Sequence, residues 1–259
     1  MWSEAIRLIG TDNGEAMTYR IGGAVFLLII GVLIVMLVAR SHLSRRPSGR
    51  DQIQAEGSRD RPQHEARKRT RYTPEERRFL LNLARKTIEE VVTNGRLPDV
   101  DATGLSSNLT EPKGCFVTLK RNGQLRGCIG HIFPKEPLYT AVMDNARSAA
   151  IHDQRFRPVQ PEELGEIEIE VSVLTVPERL HFESPDDLLR KLRPHVDGLV
   201  LEIGRRGATY LPQVWEQLPD KEEFLSRLTV KAGLPRSAWR RPETQILTYQ
   251  VEAFKESEM

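Results

Sequence analysis

The chain has 259 residues, with 38 Lys and Arg against 36 Asp and Glu, 39% apolar residues and two cysteines, which excludes a disulfide scaffold, a collagen and a wholly disordered protein. Its formal charge of +2 averages unlike segments: −1 over residues 1–20, +6 over 40–71 and −3 over 72–259. The slightly acidic C-terminal part lacks the basic footprint that phosphate contacts need, so nucleic acid is not an expected partner.

Residues 1–20 form a short leader that the pattern places outside the cytoplasm. Residues 21–39 (IGGAVFLLIIGVLIVMLVA) are 19 uncharged residues in a row. At about 1.5 Å per residue they nearly match the hydrocarbon thickness of a bilayer. A signal peptide has a basic leader, whereas this one carries Glu4, Asp12 and Glu15, so one transmembrane helix is expected. Arg40, Arg45, Arg46 and Arg50 follow it, which by the positive-inside rule makes this a single-pass protein of the cell membrane with a cytoplasmic C-terminal domain. Residues 40–71 hold ten basic and four acidic residues and almost no large apolar ones, so they read as a disordered linker. Two readings of its arginines stand: a solvated tether that fixes topology, and attachment to anionic headgroups. Membrane lipid, through the anchor, is an expected partner.

From residue 72 onward helical and strand signals mix. Thr73-Pro74-Glu75-Glu76 is a capping box with proline in the first turn, and Phe79, Leu80, Leu83, Ile88 and Val91 continue at helical spacing until Asn94-Gly95. Leu138, Val142, Ala146, Ala149 and Ala150 mark a second helix, Ser184-Pro185-Asp186-Asp187 opens a short one, and Asp220-Lys221-Glu222-Glu223 opens another that Gly233 ends. Ile167, Ile169, Val171 and Val173 alternate with Glu166, Glu168, Glu170 and Ser172, and residues 199–203 and 245–251 read as further strands. Gly204-Arg205-Arg206-Gly207 reads as a hairpin turn, and Trp215 and Trp239 as core. A mainly antiparallel α+β domain over residues 72–255, with a tail at 256–259, is expected.

Residues 114–132 (GCFVTLKRNGQLRGCIGHI) contain the hairpin signal Asn122-Gly123. A two-residue loop would set Val117 opposite Cys128 and Leu119 opposite Arg126, mixing polar and apolar groups on both faces. A three-residue loop puts Cys115, Val117 and Leu119 on one face with Leu125, Gly127 and Ile129, and Phe116 and Thr118 on the other with Arg126 and Cys128. The second register is the expected one, because a slip of one residue exchanges the faces. Arg126 and Cys128 would then emerge together. A guanidinium beside a thiol favours thiolate, the nucleophilic or redox form, and Gly127 and Gly130 would admit a ligand or a second backbone. The structural reading stands beside this one: cysteine is a small buried hydrophobe, and glycines mark bends.

Leu125-Arg126-Gly127-Cys128-Ile129-Gly130 is the hexapeptide of the AMMECR1 domain, and the chain resembles that family through most of residues 72–255. The likeness runs through Gly114-Cys115-Phe116-Val117-Thr118-Leu119, Asn145-Ala146, Ala149-Ala150, Asp153-Gln154-Arg155-Phe156, Leu211-Pro212-Gln213-Val214 and Lys231-Ala232-Gly233-Leu234. The family usually has proline where this chain has Gln154. The resemblance implies a two-lobed α+β domain, its larger lobe an antiparallel sheet flanked by helices, with the hexapeptide near the cleft. It also implies a shared pathway with a Memo-like protein and a radical SAM protein as partners. The candidate site is then Cys128 as nucleophile or redox thiol and Arg126 as thiolate or anion stabiliser, with Phe116, Gly127, Gly130, Asp153, Arg155 and Gln213 for binding.

No cofactor is expected and no metal, since His131, His152, His181 and His195 are scattered without ligand spacing. Glu166, Glu168 and Glu170 read as a solvated face or as partners of Arg126 or Arg155. Two functions remain open: an enzyme or enzyme component acting on a small molecule or protein side chain in a Cys/Arg-lined cleft, and a non-catalytic partner-recognition module held at the membrane.

Overall fold

The computed structural model describes residues 71–259. The leader, the apolar run and the linker up to residue 70 lie outside the described residues. Among the described residues no helix is long and apolar enough to cross a membrane.

Helix α1 (Pro74–Asn94) begins at the capping box: the Thr73 hydroxyl oxygen accepts from the Glu76 amide at 3.2 Å, and the Glu76 carboxylate accepts from the Thr73 amide at 2.9 Å. It ends at Gly95, whose φ of +67° only glycine adopts freely. One turn of helix, α2 (Ser107–Thr110), leads to the hairpin β1 (Cys115–Arg121) and β2 (Gln124–His131), and then to α3 (Leu138–Ile151). Strand β3 (Ile167–Leu174) follows the 3-10 turn Pro161–Glu166. Next come β4 (Glu178–Arg179), α4 (Pro185–Lys191), the hairpin β5 (Gly198–Ile203) and β6 (Arg206–Tyr210), α5 (Lys221–Lys231), β7 (Gln245–Tyr249) and β8 (Val251–Lys255). Ser184 caps α4 and Asp220 caps α5 as their spacing requires.

The strands form two four-stranded antiparallel sheets, in the orders β2-β1-β3-β8 and β4-β7-β5-β6. On the first, Val117, Leu119, Ile169 and Val171 face α1 and α3, in a core with Leu80, Ile88, Val142 and Ala146. On the second, Leu199, Leu201 and Ile246 face α4 and α5, in a core with Trp215, Phe224 and Trp239. The opposite faces meet each other: Phe116, Cys128, Ile132 and Leu174 of the first lobe pack against Val200 and Tyr249 of the second. Both tryptophans are fully buried, as their spacing suggested.

Two expectations are corrected. The run 245–251 is not one strand: it breaks at Gln250, so that β7 serves the second sheet and β8 the first. The Thr175 amide donates to the Gln250 carbonyl and the Gln250 amide to the Thr175 hydroxyl, both at 2.9 Å, which pins the two chain segments where they cross between the sheets. The residues 256–259 are no free tail. Glu256 accepts from Arg85 Nε at 2.9 Å and Nη2 at 2.6 Å, and from the Ile169 amide at 2.9 Å.

Candidate functional site

The hairpin realises both registers weighed above. Asn122 (φ +52°) and Gly123 (φ +74°) form a two-residue turn with both central residues left-handed, the geometry that matches the twist of the strands. Arg121 pairs with Gln124 and Lys120 with Leu125, after which the register shifts and Leu119 pairs with Gly127. Arg126 is the extra residue of a β-bulge. Beyond it the faces are those of the expected register, Val117 with Ile129 and Thr118 with Cys128. The bulge corrects one assignment: Leu125 lies on the Phe116 and Cys128 face and packs against that cluster, not with Cys115 and Val117.

The bulge also separates the arginine from the cysteine. Arg126 Nε and Nη2 grip Glu163 Oε1 and Oε2 at 2.9 and 2.8 Å, a two-pronged ion pair with both side chains less than one-sixth exposed. Its guanidinium lies 5.9 Å from the Phe156 ring centre, and Nη1 is buried without a partner. Arg126 holds the Glu163 carboxyl at a pKa of about 2.

Cys128 turns the other way, into the seam between the sheets, and is 4% exposed. The expectation that the pair shares one accessible face is therefore corrected. Burial pushes the thiol pKa up; the Thr118 hydroxyl, donating to Sγ at 3.2 Å, and the Arg155 cation oppose that rise without cancelling it. Cys115 points to the opposite, helix-facing core, as expected, and burial raises its thiol to about 12 although Asn145 Nδ2 donates to its sulfur at 3.2 Å.

Asp153 and Arg155 meet at the backbone of Cys128. Strand β2 is a sheet edge, so its outward amides and carbonyls have no strand partner. Asp153 Oδ2 accepts from the Cys128 amide at 2.9 Å, and Arg155 Nη2 donates to the Cys128 carbonyl at 3.2 Å. The two side chains are themselves joined, Arg155 Nε to Asp153 Oδ1 at 2.9 Å and Nη2 to Oδ2 at 2.6 Å. Asp153 is buried, and its pKa is lowered because the bonds from Arg155 and the Cys128 amide outweigh burial, which alone would raise it. This carboxylate–guanidinium pair takes the place of a neighbouring strand at one residue of the hexapeptide.

The glycines admit a second backbone. A Cβ on Gly127 would come within 2.2 Å of the Ala149 carbonyl oxygen of α3, and one on Gly130 within 2.2 Å of Phe116 Cδ1. Ala149, read from the sequence as a helix-face residue and as part of the family likeness, therefore has a backbone role as well. Phe116 is buried against Gly130, and Gln213 is exposed in the 3-10 turn Pro212–Glu216, two residues after Leu211, which packs on the inter-sheet cluster. A groove of about 230 Å³ at the crossing, lined by Arg71, Thr175, Glu178, Arg193, Asp197 and Gln250 among others, contains none of the sequence-named residues. The acidic strand positions pair elsewhere than expected: Glu170 with Lys120 at 2.9 Å and Glu166 with Arg121 at 2.5 Å.

Sequence reasoning missed Glu163 and Asn145. Glu163, with Leu164, belongs to the stretch that resembles the family, but beyond that and its capping position after Pro161 nothing in the sequence marks it as the partner of Arg126. Asn145 gave a signal, a polar residue on the apolar side of a helix; its Nδ2 donates to the Cys115 carbonyl at 3.1 Å. Among the described residues no group of three or more His, Cys, Asp or Glu side chains is arranged to hold a metal ion.

Two antiparallel sheets joined by a thiol-containing seam, with an edge strand capped by an Asp/Arg pair, define an α+β domain with no exposed nucleophile at its hexapeptide. A family model, AMMECR1, matches residues 81–254, and the chain belongs to that family. A protein of Methanothermobacter thermautotrophicus is 45% identical over 193 residues, covering 72% of this chain and 98% of that protein. One of Thermococcus gammatolerans is 44% identical, covering 69% and 89%. Among solved structures, an uncharacterized protein from Pyrococcus horikoshii aligns with a TM-score of 0.62 at 38% identity, covering 69% of this chain and 90% of that one.

Proposed function

We propose that the protein is a membrane-tethered recognition module, which holds a partner and does not transform a substrate at a thiol. The observation that carries this reading is the seat of Cys128, a residue 4% exposed in the inter-sheet seam, with its thiol pKa raised by burial. A nucleophilic or redox cysteine needs thiolate character and access, and this one has neither. Arg126, the intended activator, is committed to Glu163, and the polar atoms of Asp153 and Arg155 are spent on each other and on the Cys128 backbone. Each sequence-named charged residue thus has a structural occupation, which supports binding through surface over chemistry in a cleft.

The tether rests on the sequence: 19 uncharged residues followed by four arginines within eleven positions. The partners proposed are those the kinship implies, a Memo-like protein and a radical SAM protein. The test is alkylation of the intact, detergent-solubilised chain across a pH series, with Cys128 and Cys115 resolved by peptide mass spectrometry. Slow labelling of both until the protein unfolds is expected. Rapid labelling of Cys128 at neutral pH would overturn the reading and restore the enzyme alternative.

A further inference from the structure

Away from the hexapeptide, the second sheet has a charged cap of its own. Lys231, the last residue of α5, donates from Nζ to the Thr209 carbonyl at 3.1 Å, and the amine lies 5.0 Å from the centre of the Tyr210 ring. Thr209 and Tyr210 belong to β6, an edge strand, so the amine is drawn back over the sheet rather than held out in water. Lys231 is the one basic residue in the last turn of α5, while Arg227 and Arg236 both reach Glu223 in its first turn. Among the described residues Lys231 has no carboxylate partner. The charged group that reaches the same turn is another cation, Arg206, whose guanidinium donates to the Gly233 carbonyl.

We propose that Lys231 is an acylation site for small activated acyl donors, acyl phosphates or thioesters. The neutral amine attacks the acyl carbon; the bond from that carbon to the phosphate oxygen or thioester sulfur breaks, and phosphate or thiolate leaves with the bonding pair. The proton lost by nitrogen passes to solvent. The amide product keeps one N–H, which still reaches the Thr209 carbonyl, while the desolvated charge disappears. The site thus tolerates the product better than a solvated lysine in an ion pair would, since there a partner would be stranded. Burial supports the attacking form as well, bringing the ammonium down to about 8.

The experiment treats the intact, folded chain at neutral pH with acetyl phosphate and, in a separate arm, acetyl-CoA, and follows Lys231 and the exposed Lys86 of α1 by peptide mass spectrometry. At neutral pH the larger free-amine fraction outweighs the lower basicity, so Lys231 should react faster than Lys86 by roughly tenfold with at least one donor. The arm that responds identifies the donor chemistry. Labelling of Lys231 no faster than Lys86 in both arms overturns the proposal. The Lys231→Arg variant, which keeps a cation over Thr209, assigns the modified peptide.

Discussion

Asp153 holds the amide of Cys128 on the outer side of an edge strand, 2.9 Å from donor to acceptor, while Arg155 holds the carbonyl of the same residue and the carboxylate as well. An edge strand left bare would put these groups in water or against another chain. The pair instead closes the strand with side chains borne on the loop after α3, and so ties the first sheet to the C-terminal end of that helix.

Replacing Asp153 with Ala therefore leaves a buried amide unpaired and takes from Arg155 the carboxylate it grips. Asp153 is buried and the Arg155 side chain is 31% exposed, so solvent recovers part of the loss. A stability loss of about 2 kcal/mol is expected by urea denaturation of the purified chain. Asp153→Asn should cost less, since the amide oxygen still accepts from Cys128. Hydrogen exchange at the Cys128 amide should accelerate in the Ala variant beyond the global change; an unchanged rate would show that the contact does not protect the strand.

Cys128 sits among Phe116, Ile132, Leu174, Val200 and Tyr249, so its sulfur acts there as a small apolar group. Cys128→Ala should cost about 1 kcal/mol, the loss of a small buried group, and leave the protein folded and, on the proposed reading, able to bind its partner. Cys128→Leu should cost more, because the seam between two sheets has no room to give. Equal denaturation midpoints for the Ala and Leu variants would mean the seam is looser than its burial indicates.

Gly127→Ala drives a Cβ to 2.2 Å from the Ala149 carbonyl oxygen, a rigid backbone atom that moves only with α3. A loss of about 3 kcal/mol or failure to fold is expected. Gly165→Ala is the control: nothing lies within 4 Å of its Cβ position, and a shift within about 0.5 kcal/mol of wild type is expected. Matching melting curves for the two variants would contradict the close approach of β2 and α3.

The helix starts were legible because capping is local: Thr73, Ser184 and Asp220 each cap the residue three positions on, as read. The faces of the hairpin were legible beyond the bulge, since burial of Val117 and Leu119 with Ile129 and Gly127 demands one register. The bulge itself was not, because the two-residue turn and the buried faces make incompatible demands that only an inserted residue reconciles. Likewise the strand pattern of 245–251 runs on unbroken in sequence; its break depends on Thr175, 75 residues away. Arg126 was expected beside Cys128 because two positions apart on a regular strand share a face, and the bulge removes that regularity. Its partner Glu163 lies 37 residues on and carries no sequence mark of the pairing.

That pairing makes stability depend on pH over a definite range. The Glu163 carboxyl titrates near its ordinary 4.5 when unfolded and at about 2 when folded, chiefly because Arg126 donates to it, with the Gln160 amide and Arg121 assisting. A depressed folded pKa means the contribution is fully present above the unfolded value and is lost as pH falls through the folded one. Stability should therefore decline with acidification between about 4.5 and about 2. Glu163→Gln, which keeps the shape but not the charge, should be less stable at neutral pH and show a shallower decline over that range. Urea midpoints of both proteins across that series check it. Parallel curves would assign the acid sensitivity to other carboxylates, Asp153 first among them, whose pKa is lowered by the same kind of contact.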